Sequence, residues 1–526
     1  MVKEMSNLYQ QYYTKSNDLT SYMVKKLGLR SGTKVLEPCA GDGVFIDQIL
    51  EQDSTISIDA FELDPKEANK LRQKYAAVKN VRIYNKDTLL EKELIKSIGN
   101  DGQYDYIIAN PPYGAWQDYE KREDLKKIYP GLYIKETYST FLYLCIHLLK
   151  DNGRLVFINP DTYLNLHRHK ELRNTILEKT IIDEIVVFPS KFFPNVNFGY
   201  SNLSIISLSK CNNRDKCLSN RFSIFENFDS SSNLLKHNSK VIEHRLKQKD
   251  VYFAMDHAFF ISEDANISLL INNCKTRIGD IAACVTGFYS GNDKVFIRVL
   301  DQKVKNASSY ELVNSDEIFV DNKPPLNGIS NIRYFIPLIK GGNITYYKKS
   351  NAFLDWSFKA VQHYKIDKKA RFQNSQFYFK NGIGVPMVSS HRVTASLIDG
   401  RLFDQSIVGI FPNDSKYLNY LLAFFNSTIC TKLLRTINPS ANNSANYIKK
   451  MPIIIPDSKT IEHIDYLVET TIEARKNDLN TVEMENTIDD IISVIFSENH
   501  ESFSKNIIQA ELLFVGGHDI PPVLAC

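Results

Sequence analysis

No stretch of the 526-residue sequence is both long and apolar enough to cross a bilayer, and the N-terminus lacks the apolar core of a secretion signal. A membrane protein and a secreted one are therefore not expected, and a cytoplasmic location is. The eight cysteines (39, 145, 211, 217, 274, 284, 430 and 526) include no C-x-x-C pair. That leaves no outline of a zinc site or of a disulfide framework and fits a reduced compartment. The histidines are scattered, and no metal set is expected. His167-Arg-His169 reads as a solvated turn or helix start. An excess of one charge is also missing. Against 64 Lys and Arg stand 61 Asp and Glu, so any phosphate-binding surface must be local. No Pro-Asp…Glu-x-Lys nuclease set is present, and only a short lead precedes Thr14.

What is present is ordinary globular composition, 43% apolar and 24% charged, in a chain long enough for two or three domains. A central apolar run, Tyr104 to Ala109, reads as a buried strand. It ends in Asn110-Pro111-Pro112-Tyr113, where two prolines stop the ladder. An amide, a carbonyl and an aromatic ring are thus presented at a strand's carboxyl end, where open α/β sheets bind ligands. Upstream, Lys34-Val-Leu-Glu37 leads into a turn with Gly41 and Gly43 and then a helix to Leu50. The glycines allow close approach of a ligand. The third glycine of a dinucleotide fingerprint and the Lys-Ser/Thr of a P-loop are both absent. Glu37 is wrong for a phosphate cradle and suits a positively charged or ammonium-bearing ligand. About twenty residues on, Glu62 ends a second strand, where a βαβ nucleotide fold places its ribose-binding acid. Asp87 follows a third strand, Val81 to Tyr84, and either accepts a base amine or caps the next helix. Four successive strand ends with Glu37, Glu62, Asp87 and Asn110 describe a doubly wound sheet holding a nucleoside-like ligand along one rim.

The ordered set Gln-Tyr-Tyr-Thr14, Leu-Glu37-Pro-Cys-Ala-Gly41-Asp-Gly43, Phe-Glu62-Leu-Asp64, Asp87 and Asn110-Pro-Pro-Tyr113 resembles the gamma-class (TaqI-type) N6-adenine DNA methyltransferases of type II restriction–modification systems. Lys15, where that family usually has proline, is a departure within the first segment. The resemblance implies an α/β fold: a doubly wound, mostly parallel seven-stranded sheet of the class I S-adenosylmethionine-dependent type, with a mixed α+β target-recognition domain. Strands five to seven are expected at Asp151–Pro160, Ile181–Phe188 and Asn202–Leu208. Residues 1–245 would be the catalytic domain, 246–456 the recognition domain and 457–526 a helical segment and tail. The polar stretch from Cys211 to about Asp250 reads as a linker.

The resemblance also implies roles. Asn110 and the Pro111 carbonyl would accept hydrogen bonds from the N6 amine of an adenine flipped out of duplex DNA, and Tyr113 would stack on it. Phe193 matches the family's second stacking residue, with Phe192 and Phe198 as rivals. Glu62 would hold the ribose hydroxyls of S-adenosylmethionine and Asp87 its adenine amine, with Gly41 and Gly43 at the turn. Glu37 and Thr14 would lie near the methionine end. Implied partners are double-stranded DNA and a separately encoded endonuclease of the same site, with a monomer expected. The same site could serve cytosine N4, RNA or a protein glutamine, and a degenerate, non-catalytic specificity subunit is a further reading. Recognition-like segments lie at Thr286–Phe296, Phe335–Asn343, Tyr417–Ser427 and Lys449–Pro456. The basic, aromatic run from Tyr346 to Phe372 is expected to contact phosphates.

Overall fold

The apolar runs of the N-terminal half become strands of one sheet. The computed structural model describes residues 16–113, 119–193, 202–235, 240–261, 264–304, 307–320, 323–389, 391–438 and 441–497. Thr14 and Phe198 lie outside them. The chain divides into two units, Met1–Glu263 and Asp264–Cys526.

In the first unit the strands are β1 (Lys34–Glu37), β2 (Ser57–Phe61), β3 (Val81–Tyr84), β4 (Tyr104–Ala109), β5 (Leu149–Pro160), β6 (Thr180–Pro189), β7 (Asn202–Lys210), β8 (Arg221–Glu226) and β9 (Ile242–Lys247). Their order is β3-β2-β1-β4-β5-β7-β6-β8-β9. β1 to β5 are parallel. β7 runs antiparallel to both β5 and β6, β8 is parallel to β6, and β9 closes the edge antiparallel. The sheet is therefore mixed and nine-stranded, not seven-stranded. The two additional strands come from the stretch read as a linker. β8 buries Phe222 and Ile224 at alternate positions, and β9 alternates half-buried with exposed residues. A strand covered on one side is polar at every second residue, so its composition resembles that of a loop.

β4 is buried on both faces, with Ile107, Ile108 and Ala109 wholly covered, which explains its apolar run from Tyr106 to Ala109. Strand order reverses between β1 and β4, so the connections leave in opposite directions and open a crevice at the carboxyl ends. The helix Asn17–Leu27 buries Leu19, Met23, Val24 and Leu27 and ends at Gly28 in the left-handed region, φ 60°.

The second unit has a four-stranded and a five-stranded sheet. The first contains β10 (Ala282–Thr286), β15 (Ile383–Pro386), β16 (Ser396–Leu397) and β18 (Ile407–Pro412). The second contains β11 (Ile297–Val299), β12 (Glu311–Leu312), β13 (Phe335–Ile339), β14 (Ala352–Asp355) and β17 (Leu402–Phe403). Trp356 is fully buried among Phe288, Tyr364, Phe372, Tyr378 and Phe379, and its indole N–H donates to the Pro325 carbonyl at 2.8 Å. The aromatic residues at 346, 356 and 364 of the basic run are thus core residues. Helices Ser458–Lys476 and Val482–Ile495 pack on helix Leu418–Asn426.

Candidate active site

Glu37, Glu62, Asp87 and Asn110 stand at or just beyond the carboxyl ends of β1, β2, β3 and β4. Parallel pairing of β1 with β4 (Val35 opposite Tyr106, Leu36 opposite Ile107) brings the strand ends carrying Glu37 and Asn110 side by side. The Asn110 backbone hydrogen-bonds Cys39, whose thiol pKa burial raises well above the usual range.

The rim is laced together by its own backbone. Ala40 N–H donates to the Phe61 carbonyl at 2.8 Å and Glu62 N–H to the Tyr84 carbonyl at 3.0 Å. The Glu62 carboxylate accepts from Gly41 N–H at 2.8 Å and from Asp64 N–H at 2.7 Å. Burial raises the Glu62 pKa, and those N–H bonds oppose the shift. Two residues that the sequence reading passed over complete the lacing. The Asn85 amide donates to the carbonyls of Glu62 (2.9 Å) and Leu63 (3.1 Å), and the Thr88 hydroxyl donates to the Pro38 carbonyl (2.6 Å). Their signal was the polar run flanking Asp87. Asp87 accepts from Leu89 N–H at 3.1 Å and is ion-paired with Lys121.

Glu37 is the outlier. It is 1% exposed, and its Oε2 has no hydrogen-bond partner. Burial holds its pKa well above the usual carboxyl value, and the nearby Asp42, Glu62 and Asp47 raise it further against the lesser pull of Lys74. This is a cluster of acids around an unsatisfied acceptor. It repels phosphate and favours a cationic donor.

Gly43 fixes the turn. It starts helix Val44–Gln52 at φ 80°. Its carbonyl accepts from the Tyr75 hydroxyl at 3.0 Å, and that hydroxyl also lies 2.7 Å from Asp47 Oδ1. A Cβ here would sit 2.7 Å from the Tyr75 hydroxyl and 2.8 Å from Leu71 Cδ2. Gly43→Ala is expected to cost about 1–3 kcal/mol of stability through strain and displacement of Tyr75. A urea melt of variant against wild type measures it, and an unchanged midpoint and slope would contradict the assignment.

Asn110 is half-buried, Pro111 buried and Tyr113 1% exposed. The Tyr113 hydroxyl donates to Asn110 Oδ1 at 2.8 Å, and the Pro112 carbonyl accepts from the Thr137 hydroxyl. The amide is therefore held from within its own motif. Phe193 is 2% exposed and follows the turn Ser190–Phe192 after β6. Phe192 stacks on Phe188, centroids 5.7 Å apart.

Beyond β5, Asp161 has its pKa pushed up to about 6 by burial, against a hydrogen bond with the Asn202 side chain. His169 is not solvated. It is 1% exposed, with Nε2 2.9 Å from Glu136 Oε2 and 3.0 Å from the Tyr138 hydroxyl. A carboxylate and a phenol from a neighbouring segment account for a burial that local sequence did not reveal.

Residues 43–193 match the family model described as Eco57I restriction-modification methylase. Over that span, which is less than half of the chain, the sequence is similar to that family. The matched span holds Glu62, Asp87, Asn110 to Tyr113 and Phe193, and it begins after Glu37 and Gly41. Type II methyltransferase M.AccI of Acinetobacter calcoaceticus is 33% identical over 196 residues, 36% of this chain, and the match spans only 35% of that relative. Type II methyltransferase M.HindII of Haemophilus influenzae is 24% identical over 468 residues, 79% of this chain and 83% of the relative. Among solved structures, a cryo-EM DrdV–DNA complex matches with a TM-score of 0.50 at 11% identity, over 89% of this chain and 58% of that one. At that identity the likeness concerns fold.

Proposed function

We propose that this chain is an S-adenosylmethionine-dependent DNA methyltransferase acting on the N6 amine of an adenine flipped out of duplex DNA. The observation that carries the reading is the buried, unsatisfied Glu37 carboxylate in a cluster of acids, on the strand beside the one that presents Asn110. Dinucleotides and nucleoside triphosphates carry phosphates that such a cluster repels. A ligand with an ammonium group and a sulfonium answers both the charge and the missing donor. The fold is then the class I methyltransferase sheet, β1 to β7, extended by β8 and β9.

S-adenosylmethionine supplies an electrophilic methyl group and its own leaving group, so the chain's residues position and polarise. Glu37 would accept from the cofactor's ammonium, Glu62 from its ribose hydroxyls and Asp87 from its adenine amine, and the family resemblance puts Thr14, outside the described residues, near the methionine end. Gly41 and Gly43 allow the backbone to approach. The lone pair of an exocyclic amine is delocalised into the ring. Hydrogen bonds from that amine to Asn110 Oδ1 and the Pro111 carbonyl favour the nitrogen geometry that frees the pair. Tyr113 and Phe193 flank the base and offset the stacking lost on extrusion. Asn at the first motif position, rather than Ser or Asp, favours adenine over cytosine N4. A cognate endonuclease, a monomeric state and the division into catalytic (1–245), recognition (246–456) and C-terminal (457–526) parts belong to the same proposal.

Tritiated S-adenosylmethionine offered with duplex DNA, RNA and protein substrates tests it. Label is expected on DNA, in N6-methyladenine on nucleoside digestion. Label on RNA or protein alone would overturn the reading.

A further inference from the structure

Residues 368–398 and 415–456 together hold ten Lys and Arg and no Asp or Glu, in a chain whose charges otherwise nearly balance. The structure ties these two stretches together. Past the end of β15, Val388 bridges antiparallel to Asn442. Ser389 N–H donates to the Ala441 carbonyl at 3.0 Å, and Asn443 N–H to the Met387 carbonyl at 2.7 Å.

Beneath this pairing lies a polar network. Asn443 is fully buried, and its amide donates to the Pro386 carbonyl and the Ser389 hydroxyl, each at 2.9 Å. The Arg435 guanidinium donates to Asn443 Oδ1 at 2.8 Å, to the Ser389 carbonyl at 2.8 Å and to its hydroxyl at 2.9 Å. Asn438, also fully buried, donates to the Asn442 carbonyl at 2.6 Å. Downstream, Asn426 clamps both the N–H and the carbonyl of Ala395, each at 2.9 Å.

Holding two surface loops together does not require a half-buried guanidinium and two buried amides, since apolar packing would do so at lower desolvation cost. What the network adds is a fixed backbone. On its outer side are Val388, 69% exposed, with His391 and Asn442 also exposed. A branched methyl, an imidazole and an amide are the groups that meet a thymine methyl, a guanine edge and an adenine edge in the major groove. A surrounding sequence free of carboxylates adds no repulsion for phosphates.

Of the basic run that the sequence singled out, Lys368, Lys369 and Arg371 belong to the carboxylate-free stretch, whereas two lysines before them are engaged elsewhere. Lys348 donates inward to the Lys340 and Gly341 carbonyls at 2.7 and 2.9 Å, and Lys349 is ion-paired with Asp478.

We propose that the paired loops presenting Val388, His391 and Asn442 are the surface with which the second unit reads base edges in duplex DNA. The inference rests on the DNA methyltransferase reading above. The test uses the full chain with Val388→Ser and His391→Ala, both at exposed positions. The wild-type target is first found by sequencing the methylated bases in treated DNA. Transfer is then measured on the target and on every single-base-pair change of it, alongside cofactor affinity as a check on folding. Each variant is expected to bind cofactor within about twofold of wild type and to lose about tenfold or more of discrimination at one or two base pairs. Unchanged discrimination at every position overturns the proposal, as does a uniform loss over all duplexes. A wild-type chain that methylates no DNA overturns the underlying reading instead.

Discussion

Asn110→Ala is expected to lower methyl transfer about a thousandfold while leaving cofactor affinity within about twofold of wild type, an effect of the size seen when one preorganised polar contact to a reacting group is removed. The proposed cofactor residues Glu37, Gly41, Glu62 and Asp87 lie at or beyond the ends of β1, β2 and β3, and the hydrogen bonds described there run among Ala40, Gly41, Phe61, Glu62, Asp64, Tyr84 and Leu89. Removing the amide also removes the acceptor of the Tyr113 hydroxyl, which donates to it at 2.8 Å. Tyr113→Phe therefore makes an informative companion. It removes the internal donor and keeps both the acceptor and the ring, so its loss should be far smaller. Single-turnover transfer together with calorimetric cofactor binding separates the two effects. Equal losses for both variants, or loss of cofactor binding in Asn110→Ala, would contradict the assignment.

Glu37→Gln should move stability and binding in opposite directions. The folded, ligand-free chain raises the Glu37 pKa well above its ordinary value of 4.5, chiefly through burial. A carboxyl so raised holds its proton more firmly folded than unfolded. Its contribution to stability is fully present below the ordinary carboxyl pKa and is lost as pH rises through the raised one. Glutamine has no proton to lose. Ligand-free wild type and variant should therefore differ least in mild acid. Above neutrality the variant should melt higher, by about 3 °C for each kcal/mol recovered. Cofactor reverses the order. The ammonium loses a charge-assisted partner worth about 1.5–3 kcal/mol, so affinity should fall about tenfold or more. At saturating cofactor, wild type then gains the larger stabilisation. Melting curves from pH 5 to 9, with and without cofactor, test both halves. A variant that melts lower than wild type at pH 8 without ligand would contradict the view that Glu37 is an unsatisfied acid.

The strand ends were legible in the sequence because a buried parallel strand is an unbroken apolar run, and the first polar residue after it marks the rim. Glu62 and Asn110 follow that rule, Glu37 is the last residue of β1, and Asp87 stands two residues past Asn85, the first polar residue after β3. The features that escaped detection are long-range or one-sided. β8 and β9 pack on a single face and so read as polar linker. His169 is buried by Glu136, more than thirty residues away. The contacts of Asn85 and Thr88 run to neighbouring loops, and Arg435 meets Ser389 across the second unit. In each case the residue looked exposed in its own window, and a distant backbone or side-chain partner covered it.

β8 and β9 also decide where the sheet stops. Without them the open side would be β6, where Ile185, Val186, Val187 and Phe188 are all buried. An unpaired ladder of such residues invites another chain to add a strand. β9 instead offers Glu243, Arg245 and Lys247 at its exposed positions, with Arg245 and Glu243 ion-paired. At the border of the sheet, alternating charges thus oppose the addition of another strand where an apolar ladder would favour it.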